Sequence, residues 1–117
     1  MKHTLKLQPK YFELMKNGIK TIEVRLLDEK RQQIKVGDEI EFLKEPDREE
    51  KLLTLVKNLY FYPSFEELLN SYPIENFAGN ENSKEELMSI LNTFYSKEEQ
   101  EKYGVVGIRV EVEKVIL

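Results

Sequence analysis

Apolar residues recur at every second position in three stretches of this chain, and between the second and third lie all of its serine-led helix starts. Ile22, Val24 and Leu26 alternate with Thr21, Glu23 and Arg25; Ile40 and Phe42 alternate with Glu39 and Glu41; Val106, Ile108, Val110 and Val112 alternate with Gly107, Arg109, Glu111 and Glu113. A period of two is that of a strand with one buried face. The helix starts are Ser64-x-x-Glu67, Ser83-x-x-Glu86 and Ser96-x-x-Glu99, capping boxes in which hydroxyl and carboxylate satisfy unpaired backbone N–H groups. Helices gathered in one block leave too few strand–helix–strand units for a doubly wound sheet. The order predicts an α+β fold: a curved, mostly antiparallel sheet or small barrel with helices packed at one end.

The other elements fit this frame. Residues 3 to 8 read as extended, and Pro9 opens a short helix with Tyr11, Leu14 and Met15 on one face, stopped by Asn17-Gly18. After a charged loop at 27 to 33 and the turn Gly37-Asp38, a long strand is expected from about Leu52 to Tyr62, buried on much of both sides. The acidic stretch Glu45 to Glu50 before it reads as a solvated hairpin. Leu87, Ile90, Leu91 and Phe94 recur at helical spacing and are read as core packing.

The chain has 117 residues, 34% of them charged, and no internal linker or repeat, so residues 1–117 are read as a single folded domain. With no cysteine, disulfides, thiolate zinc sites and thiol catalysis are excluded. The lone His3, read as a solvent-facing residue at a strand start, and scattered carboxylates show no ligand spacing, so neither metal nor cofactor is expected. Without an apolar leader or a run of membrane-spanning length, the expected location is cytoplasmic, with no membrane partner. The net charge of -4 hides an asymmetry: residues 1 to 35 carry nine Lys and Arg against four acids. A small anion can be attracted to that basic third even though the overall field repels a long polyanion.

Gly18 to Arg25 is the segment richest in chemistry. It sets an ammonium, a hydroxyl, a carboxylate and a guanidinium within six residues. In a regular strand Thr21, Glu23 and Arg25 share a face, whereas Lys20 needs a turn or bulge to join them. Arg25 offers planar paired donors for a phosphate or carbonyl edge, Lys20 a point charge, and Glu23 an acceptor for base amino groups. An exposed ion pair of little energetic weight is the competing reading of Glu23 and Arg25. Lys30 and Arg31 could contact phosphate beside such a site, and Tyr60, with Phe61 and Tyr62, could stack on a base.

Gly18-x-Lys20-Thr21-x-Glu23-x-Arg25, followed by Ile34 to Phe42 with its Gly37-Asp38 turn and later by Tyr103-Gly104-Val105-Val106-Gly107-Ile108, resembles the ASCH domain over essentially the whole chain. The resemblance implies a PUA-like β-barrel with a cleft lined by that motif, and a role in recognising RNA, a nucleoside or a nucleotide. Some small members of the family are amidohydrolases that deacetylate N4-acetylcytidine using a Lys, a Thr three residues on, and a Glu from a later segment. Lys20 matches the first position, Glu23 stands at the second with Thr21 two residues earlier, and Glu81 or Glu85 could supply the acid. The leading expectation is a binding module whose ligand residues are Lys20, Thr21, Glu23, Arg25, Lys30, Arg31 and Tyr60. The alternative is a hydrolase working through Lys20, Glu23 and Glu81.

Overall fold

A computed structural model describes residues 1–117. Five strands, β1 (Lys2–Leu7), β2 (Ile22–Leu26), β3 (Glu39–Lys44), β4 (Lys51–Tyr62) and β5 (Val105–Ile116), form one sheet in the order β1-β3-β4-β5-β2. Only β1 and β3 run parallel; the other three pairings are antiparallel. The helices are α1 (Pro9–Lys16), α2 (Phe65–Ser71), α3 (Glu75–Ala78), α4 (Lys84–Phe94) and α5 (Lys97–Tyr103). None is long and apolar enough to cross a membrane.

The fold is α+β as expected, but the sheet does not close into a barrel. β1 and β2 are its two edges and do not pair with each other. Local chemistry explains most element ends. Pro9 stands at the first position of α1, Asn17 closes that helix, and Gly18 turns the chain with φ +77°. Full capping boxes start α4 at Ser83 and α5 at Ser96. At Ser64 only half the expected box forms: its hydroxyl accepts from the Glu67 N–H, with no return bond from the Glu67 carboxylate.

Two cores lie on opposite faces of β5, whose successive residues point to opposite sides. Val106, Ile108 and Val110 pack with Phe12 and Met15 of α1, Leu5 and Leu7 of β1, and Phe42 and Leu52. Val105 joins Ile22 and Val24 of β2 under Phe65, Leu68, Phe77, Leu87 and Leu91 of the helical block. Gly107 lets α2 approach the sheet: a β-carbon there would lie 3.0 Å from Leu68 Cδ1 and 3.3 Å from Ile22 Cγ2.

Three local expectations change. β4 is buried on one face over its first half, through Leu52, Thr54 and Val56. A bulge between Val56 and Asn58 then resets its register. His3 does not face solvent; its Nε2 lies 2.8 Å from Asp38 Oδ2 in the β3 turn. His3 and the Lys35 N–H hold the Asp38 carboxyl down at about 2. Finally, Phe94 does not join the core: it is 68% exposed, and the C-terminal part of its stripe serves another surface.

Candidate functional site

The left-handed turn at Gly18 carries the chain from α1 toward β2, and its consequence is an exchange of faces. Lys20, two residues before the strand begins, folds inward to join Glu23, so the turn does what the alternation alone would forbid. Thr21 leaves the pattern instead. Its N–H donates to Asn76 O at 2.9 Å, and its hydroxyl makes long contacts with Asn76 Oδ1 (3.5 Å) and Arg109 Nη1 (3.4 Å).

Lys20 and Glu23 are 4% and 5% exposed, among the few buried polar residues of the chain. Lys20 Nζ donates to Ile22 O at 2.7 Å and Phe77 O at 2.9 Å, and lies 3.1 Å from Glu23 Oε1. All three of its N–H bonds are thereby committed. Arg25 Nε donates to the other Glu23 oxygen at 2.6 Å, and Arg25 Nη2 donates across the gap between the sheet edges to Lys6 O. One carboxylate thus stands between two cations, leaving the cluster with a net charge of +1.

Burial pushes the Lys20 ammonium below its ordinary value against the opposing pull of Glu23. Burial alone would raise the Glu23 carboxyl, but Lys20 and Arg25 together outweigh it and hold it below the usual carboxylate range. Arg25 is likewise disfavoured by burial, and Glu23 reverses the effect and raises it. The competing reading of an exposed, weak Glu23–Arg25 pair therefore does not describe this site.

This cluster forms the floor of a cleft of about 230 Å³ between β1, β2 and α4. Leu87, Ile90, Leu91, Phe94 and Tyr95 make one wall; Leu7 and Tyr11 stand opposite. Lys20 Nζ lies 5.8 Å from the Tyr11 ring centroid, and the Tyr11 hydroxyl donates to Asn82 Oδ1 at 2.6 Å. Burial, followed by the field of Glu23, raises the Tyr11 pKa and keeps it neutral. At the rim Lys6 and Gln8 have side chains free of hydrogen bonds within the protein, and Arg25 keeps Nη1 unengaged.

The remaining candidates lie apart. Lys30, Arg31, Tyr60, Thr21 and Glu81 do not line this cleft. Arg31 is tied to Asp28 by a 2.7 Å ion pair, with its buried Nε lacking a partner, and Lys30 is exposed beside it. Tyr60 stacks on Tyr72 at 4.6 Å and accepts from Arg109 Nε at 2.8 Å. Glu81 is exposed after α3. Conversely, sequence reading passed over Lys6, Gln8, Tyr11 and the α4 wall. Phe94, the one large apolar residue of its stripe at the helix end, was the available signal.

The ASCH domain matches residues 5–114. The chain belongs to the ASCH domain family. The crystal structure of hypothetical protein PH0355 resembles this ASCH domain with a TM-score of 0.84 and 43% identity, covering 97% of this chain and 100% of that one. The solution NMR structure of protein PF0455 from Pyrococcus furiosus gives a TM-score of 0.77 and 40% identity over 97% of this chain and 99% of that one. No curated protein matches this ASCH domain.

Proposed function

We propose that this ASCH domain binds a nucleoside or nucleotide, free or at the end of a short RNA, in the cleft above Lys20, Glu23 and Arg25. The observation that carries the reading is a buried cluster of net positive charge on the floor of an apolar, aromatic-walled cleft. Such a combination suits a flat ring with one polar or anionic edge. At about 230 Å³ the cleft lies below the roughly 300–1,000 Å³ of drug-sized pockets, so one ring and its sugar fit better than a folded RNA. Arg25 Nη1 and Lys6 at the rim supply donors for phosphate or sugar oxygens, whereas Glu45, also at the rim, discourages a backbone laid across that side.

Chemical-shift mapping with cytidine and uridine 5′-monophosphates and short single-stranded RNAs tests this. Resonances of Tyr11, Arg25, Leu91 and Tyr95 should move, and Arg25→Ala should weaken binding about tenfold or more, the worth of a charge-assisted contact. Shifts confined to other surfaces would refute it.

A hydrolytic reading has one observation in its favour, the depressed Lys20 ammonium beside Glu23. Against it, the Lys20 protons are fully engaged and Glu81 lies outside the cleft. Incubation with N4-acetylcytidine decides between the two: release of cytidine no greater than that of a Lys20→Ala control removes the hydrolase for that substrate.

A further inference from the structure

We infer that the open seam between β1 and β2 reads the ligand through main-chain groups, with the N–H and C=O of Val24 serving as a paired donor and acceptor. This inference rests on the nucleotide reading of the cleft and assigns the groups that would select the ring.

The ladder between β2 and β5 fixes which main-chain groups of β2 face the seam. Val110 N donates to Thr21 O at 2.9 Å, and Leu27 N donates to Gly104 O at 3.0 Å. These bonds bracket a register in which Glu23 stands opposite Ile108 and Arg25 opposite Val106. In an antiparallel ladder the hydrogen-bonded pairs alternate with pairs whose N–H and C=O point to the opposite edges. Glu23 and Arg25 therefore bond to β5, and Ile22, Val24 and Leu26 turn their main-chain groups outward. The Ile22 carbonyl confirms the parity, since it accepts Lys20 Nζ from the outer side.

β2 has no strand on that side. The Val24 N–H and C=O meet no side chain and no loop, yet Val24 is only 8% exposed and lines the cleft. Main-chain groups so placed are nearly always satisfied by protein, water or ligand, so at a cleft a ligand that matches the pair can take the place of solvent.

The facing edge repeats the logic. Glu39 N donates to Met1 O and Glu45 N to Leu7 O, so odd residues of β1 bond to β3 and even ones face the seam. Lys6 is one of these, and its carbonyl is already taken by Arg25 Nη2. With the Ile22 carbonyl filled by Lys20 and the Lys6 carbonyl by Arg25, the seam leaves a short window rather than an edge for an added strand. A single ring with an acceptor beside a donor fits that window. Two nucleobase edges have this chemistry: a ring nitrogen next to an exocyclic amino group, as in cytosine, and a carbonyl next to a ring N–H, as in uracil.

The test uses the intact protein with neutral nucleoside pairs that differ at that edge: cytidine against 3-deazacytidine, which lacks the ring acceptor, and uridine against 3-methyluridine, which lacks the ring donor. The expected result is a loss of about five- to tenfold in affinity within at least one pair, the worth of one hydrogen bond. The Val24 amide proton should move downfield with the tighter member and stay with the weaker. Val24→Pro removes the outward N–H where an edge strand tolerates proline, at the cost of trimming a core side chain, and should produce a similar loss. Should that variant not fold, the nucleoside pairs still decide. Equal affinities within both pairs, with Tyr11 and Tyr95 resonances shifting but the Val24 amide still, would overturn the main-chain role and leave the nucleotide cleft standing. No shift anywhere in the cleft with any of the four overturns both.

Discussion

Lys20 and Thr21 are neighbours in the chain and end in two polar clusters of opposite character. Lys20 lies in a buried knot of three charges with Glu23 and Arg25. Thr21 lies in a half-open group with Asn76, Arg109 and Tyr60, held by two good hydrogen bonds, Thr21 N–H to Asn76 O and Arg109 Nε to the Tyr60 hydroxyl, and two long contacts. A motif's residue types say little until the turn before the strand has assigned each to a face. The two clusters also carry different energetic weights. In the buried knot each partner's loss strands a charge away from water, whereas the open group can exchange a lost contact for solvent.

The largest expected effect comes from breaking the knot on one side. Glu23→Gln leaves the Lys20 ammonium buried without its carboxylate, and urea unfolding should show a loss of about 3 kcal/mol or more. The pH profile sharpens the point. Because Glu23 is held below its ordinary value in the fold, its stabilisation is complete above that value, 4.5, and is lost as pH falls through the folded value. The variant should therefore show a shallower acid slope than the wild type in thermal melts. On the alkaline side the sign differs: with its pKa lowered by burial, Lys20 sheds its proton more readily in the fold, so Glu23→Gln should gain stability as pH rises toward the ordinary lysine value, 10.5.

Removing both charges is the next step down. Lys20→Met with Glu23→Gln should cost less than the sum of the two single changes, with a coupling of about 1–3 kcal/mol, because Lys20 no longer stands charged without Glu23 and only Arg25 is left without its carboxylate. The smallest effect belongs to the open cluster. Arg109→Ala should cost about 1 kcal/mol, keep the wild-type acid slope and leave nucleotide shifts in the cleft intact. An Arg109→Ala loss equal to that of Glu23→Gln would erase the distinction between the two clusters.

Much of the fold was legible because its signals are local. Pro9 and Gly18 bound α1, the Ile22-Val24-Leu26 alternation marks β2, and Ser83 and Ser96 start their helices with both halves of the box. α3 had no such signal: it is four residues long and follows Ile74, which contributes no side-chain cap. The parallel pairing of β1 with β3 and the failure of the sheet to close are relations between distant segments, which no alternation within one strand encodes. The site was legible in Lys20, Glu23 and Arg25 as residue types. Its wall was not, since an apolar stripe reads the same over a core as over a cleft, and the placement of Thr21 depends on a turn geometry and on Asn76 far along the chain.

Gly107 stands on β5 opposite Val24 and does not itself line the cleft, yet it helps set how wide the cleft is. The absence of a single methyl there lets Leu68 rest on the sheet, and Leu68 shares its core with Leu87 and Leu91, which form the cleft wall. The spacing between that wall and the charged floor is therefore a thickness transmitted through α2, adjustable from the far side of the helical layer without touching a single residue that would meet the ligand.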